Sequence, residues 1–416
     1  MNKLVVIPIV ILTLLAIDLY AYQGFKAAFG NLSASGKKIL QWTYWSISQL
    51  LMAGIVVYNF IDPGLIGRTL RSFIMVGVFI VYFTKMIVLP FVLIDDLIRL
   101  GKWVYVKVSG NELTGSFSGN SISRSQFLGR LGLAVASVPM AGMIYGIVAG
   151  AHDYRIRRAS VKLPNLPDEF DGLKILQLSD IHSGSFFNKT AVERGVKMAL
   201  DEKPDLILFT GDLVNNTADE MDNFWDLFSQ VQAPMGVFSV LGNHDYGDYY
   251  RWSSDEAKKK NLERLKEGQR KMGWQILMNE HVWLERGNSK IALIGIENWG
   301  AGGFAKYGDL PQAYNGAENA PVKLLLSHDP SHWNAQVTKD FPDIDVAFAG
   351  HTHGMQFGIE KAGIKWSPVQ YRYKQWGGLY QEGNQYLYVN RGFGYIGYPG
   401  RIGMPPEITV MELKQG

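Results

Sequence analysis

The sequence predicts an all-α membrane region of four transmembrane helices over residues 1–150, followed by a single α/β domain over residues 151–416. Three observations predict it. Long apolar stretches are confined to the first third of the chain. Strand-like runs alternate with helix or loop beyond Lys162. Asp, Asn and His recur just after those runs. The 416 residues exceed a typical domain, and their 47% hydrophobic content is unevenly spread. The mean hydropathy of -0.01 therefore averages an oily region with an ordinary soluble one.

Hydrocarbon about 30 Å thick requires roughly 20 mostly apolar helical residues. Four stretches meet that length: Leu4 to Tyr22, Ile39 to Ile61, Phe73 to Ile98 and Phe127 to Gly150. The first follows Lys3 as a signal peptide would, but it lacks a small-x-small cleavage site and three further spans follow. Trp42, Tyr44, Trp45 and Tyr58 lie near the ends of the second, where amphipathic rings favour the headgroup layer.

Four spans place both ends on one side, flanked there by Lys3, Arg68, Arg71, Arg155, Arg157, Arg158 and Lys162. The other side carries Lys26, Lys37, Lys38, Arg99, Lys102, Lys107 and Arg124, so the positive-inside rule does not distinguish the two sides. Ser123-Arg124-Ser125-Gln126-Phe127-Leu128 resembles a twin-arginine export signal that has lost its second arginine. Such an origin puts Arg124 inside and the soluble domain outside, a periplasmic placement at a bacterial inner membrane. As an ordinary basic residue before a span, Arg124 leaves the facing open and the cytoplasm as the alternative.

A net charge of +3 is too mild for a nucleic-acid binder, which needs a dense basic face. With no cysteine, thiol catalysis, disulfides and cysteine-ligated metal sites are excluded, so any metal must sit on His, Asp, Glu or Asn.

In the soluble part, strands are expected at Leu173–Leu178, Leu206–Phe209, Val237–Leu241, Ile291–Ile296, Val322–Leu326, Val346–Phe348, Tyr386–Val389 and Ile408–Leu413. A helix is expected to begin near Asn188 or Thr190 and to end before Pro204, turning Val192, Val196, Met198 and Leu200 to the sheet. Five strands end in groups that bind hard or borderline metals, the position an α/β sheet uses for its site. The first delivers Asp180 and His182, the second Gly211-Asp212, and the third Gly242-Asn243-His244-Asp245. Ser327-His328-Asp329 and Gly350-His351-Thr352-His353-Gly354 follow. The chain has eight His, and five fall in these segments, flanked by Gly or Ser that let backbone approach closely.

This series of D-x-H, G-D, G-N-H-D, a strand-end His and G-H-T-H resembles the calcineurin-like metallophosphoesterase superfamily over roughly Leu173 to Leu413. The order of spans and the run Ser179 to Phe186 are similar to its membrane-attached branch, some members of which cleave UDP-2,3-diacylglucosamine in lipid A biosynthesis. The resemblance implies a four-layer α/β/β/α sandwich binding two divalent metal ions. It assigns Asp180, His182 and His353 to one ion, Asn243, His328 and His351 to the other, and Asp212 to a bridge between them. Two close cations need such an anion, and nitrogen and oxygen ligands suit Mn, Fe, Zn or Co.

His244 is the candidate catalytic residue, stabilising the transition state or protonating the leaving oxygen. In several relatives an Asp three residues beyond the G-D aspartate orients that histidine. Here Asn215 stands there, and Asp245 is the other candidate partner.

The polar run from Gly247 to Met272 reads as a solvated helix face or as a contact for anionic lipid. The Gly-rich segment Trp299–Tyr314 is placed as an active-site loop would be. Aromatic residues crowd Trp366–Tyr398, some as core and some suited to headgroups, and Arg391 is a candidate contact for a substrate phosphate. The leading expectation is hydrolysis of a phosphodiester or pyrophosphate bond, in a lipid or lipid-linked substrate beside membrane lipids. The alternatives are a phosphomonoesterase acting on a soluble ester and a metal-binding membrane sensor without turnover.

Overall fold

The computed structural model describes residues 3–110 and 122–416. The chain divides into two compact units, Met1–Ile144 and Tyr145–Gly416. The first holds α1 (Lys3–Ala28), α2 (Ala34–Phe60), the single turn α3 (Pro63–Ile66) and α4 (Arg68–Ser109), and α5 (Arg124–Val148) starts within it. Among the described residues, three helical segments are long and apolar enough to cross a membrane: Lys3–Ala28, Leu70–Ser109 and Arg124–His152. The second expected span forms as α2, but Gln41, Thr43, Ser46, Ser48 and Gln49 dilute its first half. Arg124 opens α5 and donates to Asp95 at 2.8 Å, with Ser125 on the other carboxylate oxygen.

Asp18 of α1 and Lys85 of α4 form an ion pair that is almost fully buried. Ser48 and Tyr82 also donate to the Asp18 carboxylate, at 3.1 and 2.9 Å. Removing one member strands the other charge where nothing solvates it, which costs about 3–5 kcal/mol. Lys85→Met should therefore lower the thermal unfolding midpoint in detergent, and Asp18→Asn/Lys85→Met should recover most of the loss. Equal melting of all three proteins would show that the pair contributes nothing.

In the second unit the strands are β1 (Arg155–Leu163), β2 (Lys174–Leu178), β3 (Leu206–Phe209), β4 (Val237–Ser239), β5 (Trp274–Ile276), β6 (Glu280–Arg286) and β7 (Ser289–Gly295). They continue as β8 (Lys323–Leu326), β9 (Val346–Ala349), the small pair β10 (Ile359–Lys361) and β11 (Ile364–Trp366), then β12 (Gly378–Glu382), β13 (Gln385–Val389) and β14 (Glu407–Gln415). One six-stranded sheet runs β1-β14-β2-β3-β4-β5 and the other β12-β13-β9-β8-β7-β6. Within them β2 to β5 are mutually parallel, as are β7, β8, β9 and β13.

Alternation along each strand decides the packing, because successive side chains leave opposite faces. Leu206 and Leu208 of β3 join Leu293, Leu324 and Phe348 in a core between the sheets. Ile207 and Phe209 point outward, under α6 (Lys189–Asp201), α7 (Trp225–Phe228) and α8 (Asp255–Lys271). On the far side, Ile294, Leu325 and Ala347 pack against α9 (Leu310–Tyr314) and Trp333.

Helix α6 starts after Asn188, whose side chain caps the Ala191 amide. Val192 and Val196 are buried as expected, together with Ala191, Gly195 and Ala199, whereas Met198 and Leu200 are only partly covered. The polar run before Met272 is α8, where Lys258 pairs with Asp248, Arg264 with Asp222 and Lys271 with Glu267. Part of the late aromatic cluster is core, with Trp376, Tyr388, Phe393 and Tyr395 all buried, whereas Tyr371 is exposed.

Candidate metal centre

Each of the five ligand-bearing segments reaches one region, because the parallel strands of both sheets point their carboxyl ends there. The backbone bends sharply to do it. Asp180, His182, Asp212, His351 and His353 all take left-handed conformations, with φ of 53°, 48°, 60°, 70° and 51°. Such angles are uncommon outside glycine and must be held by their surroundings. The Asp180 amide donates to the Gly211 carbonyl, and those of His182 and Ser183 to the carbonyls of Asp212 and Leu213. The glycines are there for space: a Cβ on Gly350 would lie 2.2 Å from Asp180 Oδ2, and one on Gly242 2.2 Å from Asp212 Oδ1.

Two groups of potential ligands result. Asp180, His182 and His353 offer ligand atoms that lie within 4.8 Å of one another, as do Asp212, His328 and His351. Asn243 joins the second group, its Oδ1 3.1 Å from His328 Nε2. The groups touch through one carboxylate, since Asp212 Oδ2 lies 3.2 Å from His328 Nε2 and 3.5 Å from His182 Nε2. Nearly all these side chains are buried, so their charges cannot be screened by solvent.

The donor chemistry fits cations. Both ring nitrogens of His182 and the Nε2 of His353 are buried without a hydrogen-bond partner, a cost that a metal ion relieves. Burial opposes ionisation of Asp180, yet His353 holds its carboxyl well below the usual range. Asp212 is likewise held far down against burial, chiefly by His328 and His244. Burial would also keep His328 neutral, but Asp212 overrides it and pushes that imidazole up to about 10. A cation at His328 displaces this proton, so metal affinity rises with pH. The remaining ring contacts fix orientation: His328 Nδ1 meets the Thr210 carbonyl at 2.7 Å, and Arg401 lies 3.1 Å from His353 Nδ1.

His244 stands beside this pair, its ring edge-on to His182 at 5.0 Å between centroids. Its Nδ1 lies 2.8 Å from the Asn215 main-chain carbonyl, which only accepts, so Nδ1 carries a proton. The orienting partner is thus backbone, and the missing aspartate side chain is not needed for it. Asp245 is corrected as a candidate. It accepts from the amides of Asp212, Leu213, Val214 and Gly242, bracing the loops, and burial and Asp212 push its pKa up to about 7.

Arg391 is also corrected. It is 1% exposed and its two terminal nitrogens are taken by Glu407 and Glu360, at 2.6 and 2.7 Å, so it has no face for a substrate phosphate. Burial opposes ionisation of Glu407, but Arg391 overrides it and lowers the carboxyl. The pair's stability is therefore present above the unfolded-chain value of about 4.3 and is lost as pH falls through the lower folded value. Arg391→Met should cost about 3–5 kcal/mol, read as a fall in denaturant midpoint, with metal content per folded chain retained. A midpoint like wild type would free Arg391 for a binding role.

Two tyrosines that sequence reasoning missed also belong to the site. Tyr249 accepts from Asn243 Nδ2 at 2.9 Å and packs on His244, and Tyr373 OH lies 2.8 Å from His351 Nε2. Phe304, from the Gly-rich loop, stands edge-on to His351 at 5.0 Å.

This fold and these paired clusters define a metal-dependent hydrolase domain that follows apolar helices. Residues 173–355 match the family model described as "Calcineurin-like phosphoesterase". Residues 2–151 match the model described as "Probable Calcineurin-like phosphoesterase, transmembrane domain". An uncharacterized metallophosphoesterase of Bacillus subtilis, YkuE, is 32% identical over 70% of this chain and 98% of its own. A transmembrane protein with metallophosphoesterase domain from Danio rerio is 28% identical over 89% of this chain and 80% of its own. The phosphodiesterase YaeI of Escherichia coli is 29% identical over 70% of this chain and 99% of its own.

The chain belongs to the calcineurin-like phosphoesterase family. It is a metal-dependent phosphoric ester hydrolase and an integral membrane protein.

Proposed function

We propose that this chain hydrolyses a phosphodiester or pyrophosphate bond in a lipid or lipid-linked substrate, UDP-2,3-diacylglucosamine among the candidates, at a bacterial inner membrane. Asp180, His182 and His353 hold one divalent ion, Asn243, His328 and His351 hold the other, and Asp212 is shared. The observation that carries this reading is the single Asp212 oxygen within 3.5 Å of a histidine from each cluster. Bound there, two ions supply Lewis acidity and positive charge to the phosphoryl oxygens during in-line attack by water. His244, fixed through Nδ1 by the Asn215 carbonyl, leaves Nε2 for the leaving oxygen.

Four layers, helix on sheet on sheet on helix, make up the hydrolase domain of residues 151–416. α2 completes a set of four spans within residues 1–150, a reading supported by the transmembrane-domain model that matches residues 2–151. The name of the YaeI relative supports the diester preference, and the apolar helices support a substrate that resides in the bilayer.

The test is the Mn-loaded chain on bis-(p-nitrophenyl) phosphate beside the p-nitrophenyl monoester, with Asp212→Asn as control. The expected result is turnover far above the control with the diester preferred. Wild type equal to the control on both substrates would overturn the reading. A reporter fused after Gly416 is expected outside the cytoplasm, and an inward result would reverse the facing.

A further inference from the structure

A cavity of about 290 Å³ is lined by Ala301, Ser331, Asn334, Arg372, Tyr373 and Gln375, with Ala335 and Lys374 completing the wall. It adjoins the metal centre through Tyr373, which lines the cavity and also contacts His351 at 2.8 Å. The floor is polar and fixed. The Asn334 and Gln375 amides bond each other at 2.6 Å, Gln375 is buried, and Ser331 Oγ accepts from the Ala301 amide at 2.8 Å. Two cations, Arg372 and Lys374, also line the cavity, and among the described residues no acidic side chain does. The glycine-rich loop closes near Arg372: a Cβ on Gly302 would lie 3.3 Å from its guanidinium.

We propose that this cavity is a second anion subsite, in which Arg372 and Lys374 bind a phosphate or carboxylate that the substrate carries beyond its scissile phosphate. The inference rests on the phosphoesterase reading and adds the substrate class: a dianionic ester with its second charge past His351. Three features of the cavity favour an anion over an apolar group. The charge on the wall is of one sign, amide and hydroxyl groups surround it, and a guanidinium offers forked donors that match phosphate or carboxylate. Arg372 is a binding residue. Tyr373 is a positioning residue, holding His351 on one side and shaping the cavity on the other.

Calorimetry on the full Mn-loaded chain in detergent tests this, with methylphosphonate and a graded series of α,ω-alkylene bisphosphonates as probes. None of these can be hydrolysed. The wild type should prefer one linker length over methylphosphonate. Arg372→Ala should shrink that preference about ten-fold or more, the loss of one charge-assisted contact, and Arg372→Lys should keep part of it. Arg372 is exposed, so the variants should fold, and Arg372→Gln provides a second neutral replacement. A preference for bisphosphonate that Arg372→Ala and Arg372→Gln leave unmoved overturns the subsite, because the metals alone would then account for it. Turnover of bis-(p-nitrophenyl) phosphate against Asp212→Asn is scored separately, so a failed subsite and a failed phosphoesterase reading give different results.

Discussion

Asp212→Asn should reduce turnover of bis-(p-nitrophenyl) phosphate by about 10³-fold or more, the largest effect expected of any single substitution here. The loss should come from charge, with shape retained. Asparagine has the same outline and tolerates the left-handed backbone of this position, where φ is 60°. Its side-chain oxygen can still accept from the His244 amide, which lies 2.9 Å from Asp212 Oδ1. The main-chain amides around it remain tied to Asp245. Without the negative charge, nothing between the clusters offsets the repulsion of two neighbouring cations. Metal content should fall together with activity while the thermal midpoint of the metal-free protein changes little. A variant that kept both metal and rate would show that the shared carboxylate is not the centre of the site.

His244→Gln should lower kcat by about 10²- to 10⁴-fold and leave metal content unchanged. The split follows from position. His244 lies beside the ligand clusters and its ring nitrogen is engaged by the Asn215 carbonyl, so removing it takes away a proton donor and spares the ligands. Because that partner is main chain, Asn215→Ala should keep most of the rate. The Asn215 side chain itself bonds Ser185, away from the imidazole. Parallel steady-state kinetics and metal analysis on both variants check the pair. A His244 variant that lost metal as well would make this residue a ligand. An Asn215 variant as damaged as His244→Gln would show that the side chain matters after all.

The convergence of the candidate site was legible in the sequence because its chemistry and its architecture share a register. Each proposed ligand follows an apolar run that is itself a buried strand, as Leu206–Phe209 precedes Asp212 and Val346–Ala349 precedes His351. What was missed lies where that register fails. β1, Arg155–Leu163, carries three arginines and a lysine, so it reads as a polar connector, yet it pairs in parallel with β14 along its full length. β6 and β12 sit at sheet edges, where half of each strand can be charged or glycine-rich without cost. α2 has a membrane helix's length, and the polar residues in its first half make it less uniformly apolar than the other three long helices.

Arg391 shows a different limit. An arginine just beyond a strand looks like a phosphate contact until its partners are known, and those partners, Glu360 and Glu407, lie 31 and 16 residues away along the chain. Tyr373 is the converse: 22 residues from His351 in sequence, it looked like one more aromatic in a crowded segment. Pairings of this kind depend on how distant loops meet, which strand periodicity does not encode.

An anomalous-difference map from crystals of the full chain grown with Mn tests the central claim most directly. Two peaks are predicted, one among Asp180, His182 and His353 and one among Asn243, His328 and His351, with the Asp212 carboxylate between them. A single peak that leaves Asp212 uncoordinated, or metal bound only elsewhere on the chain, would contradict it.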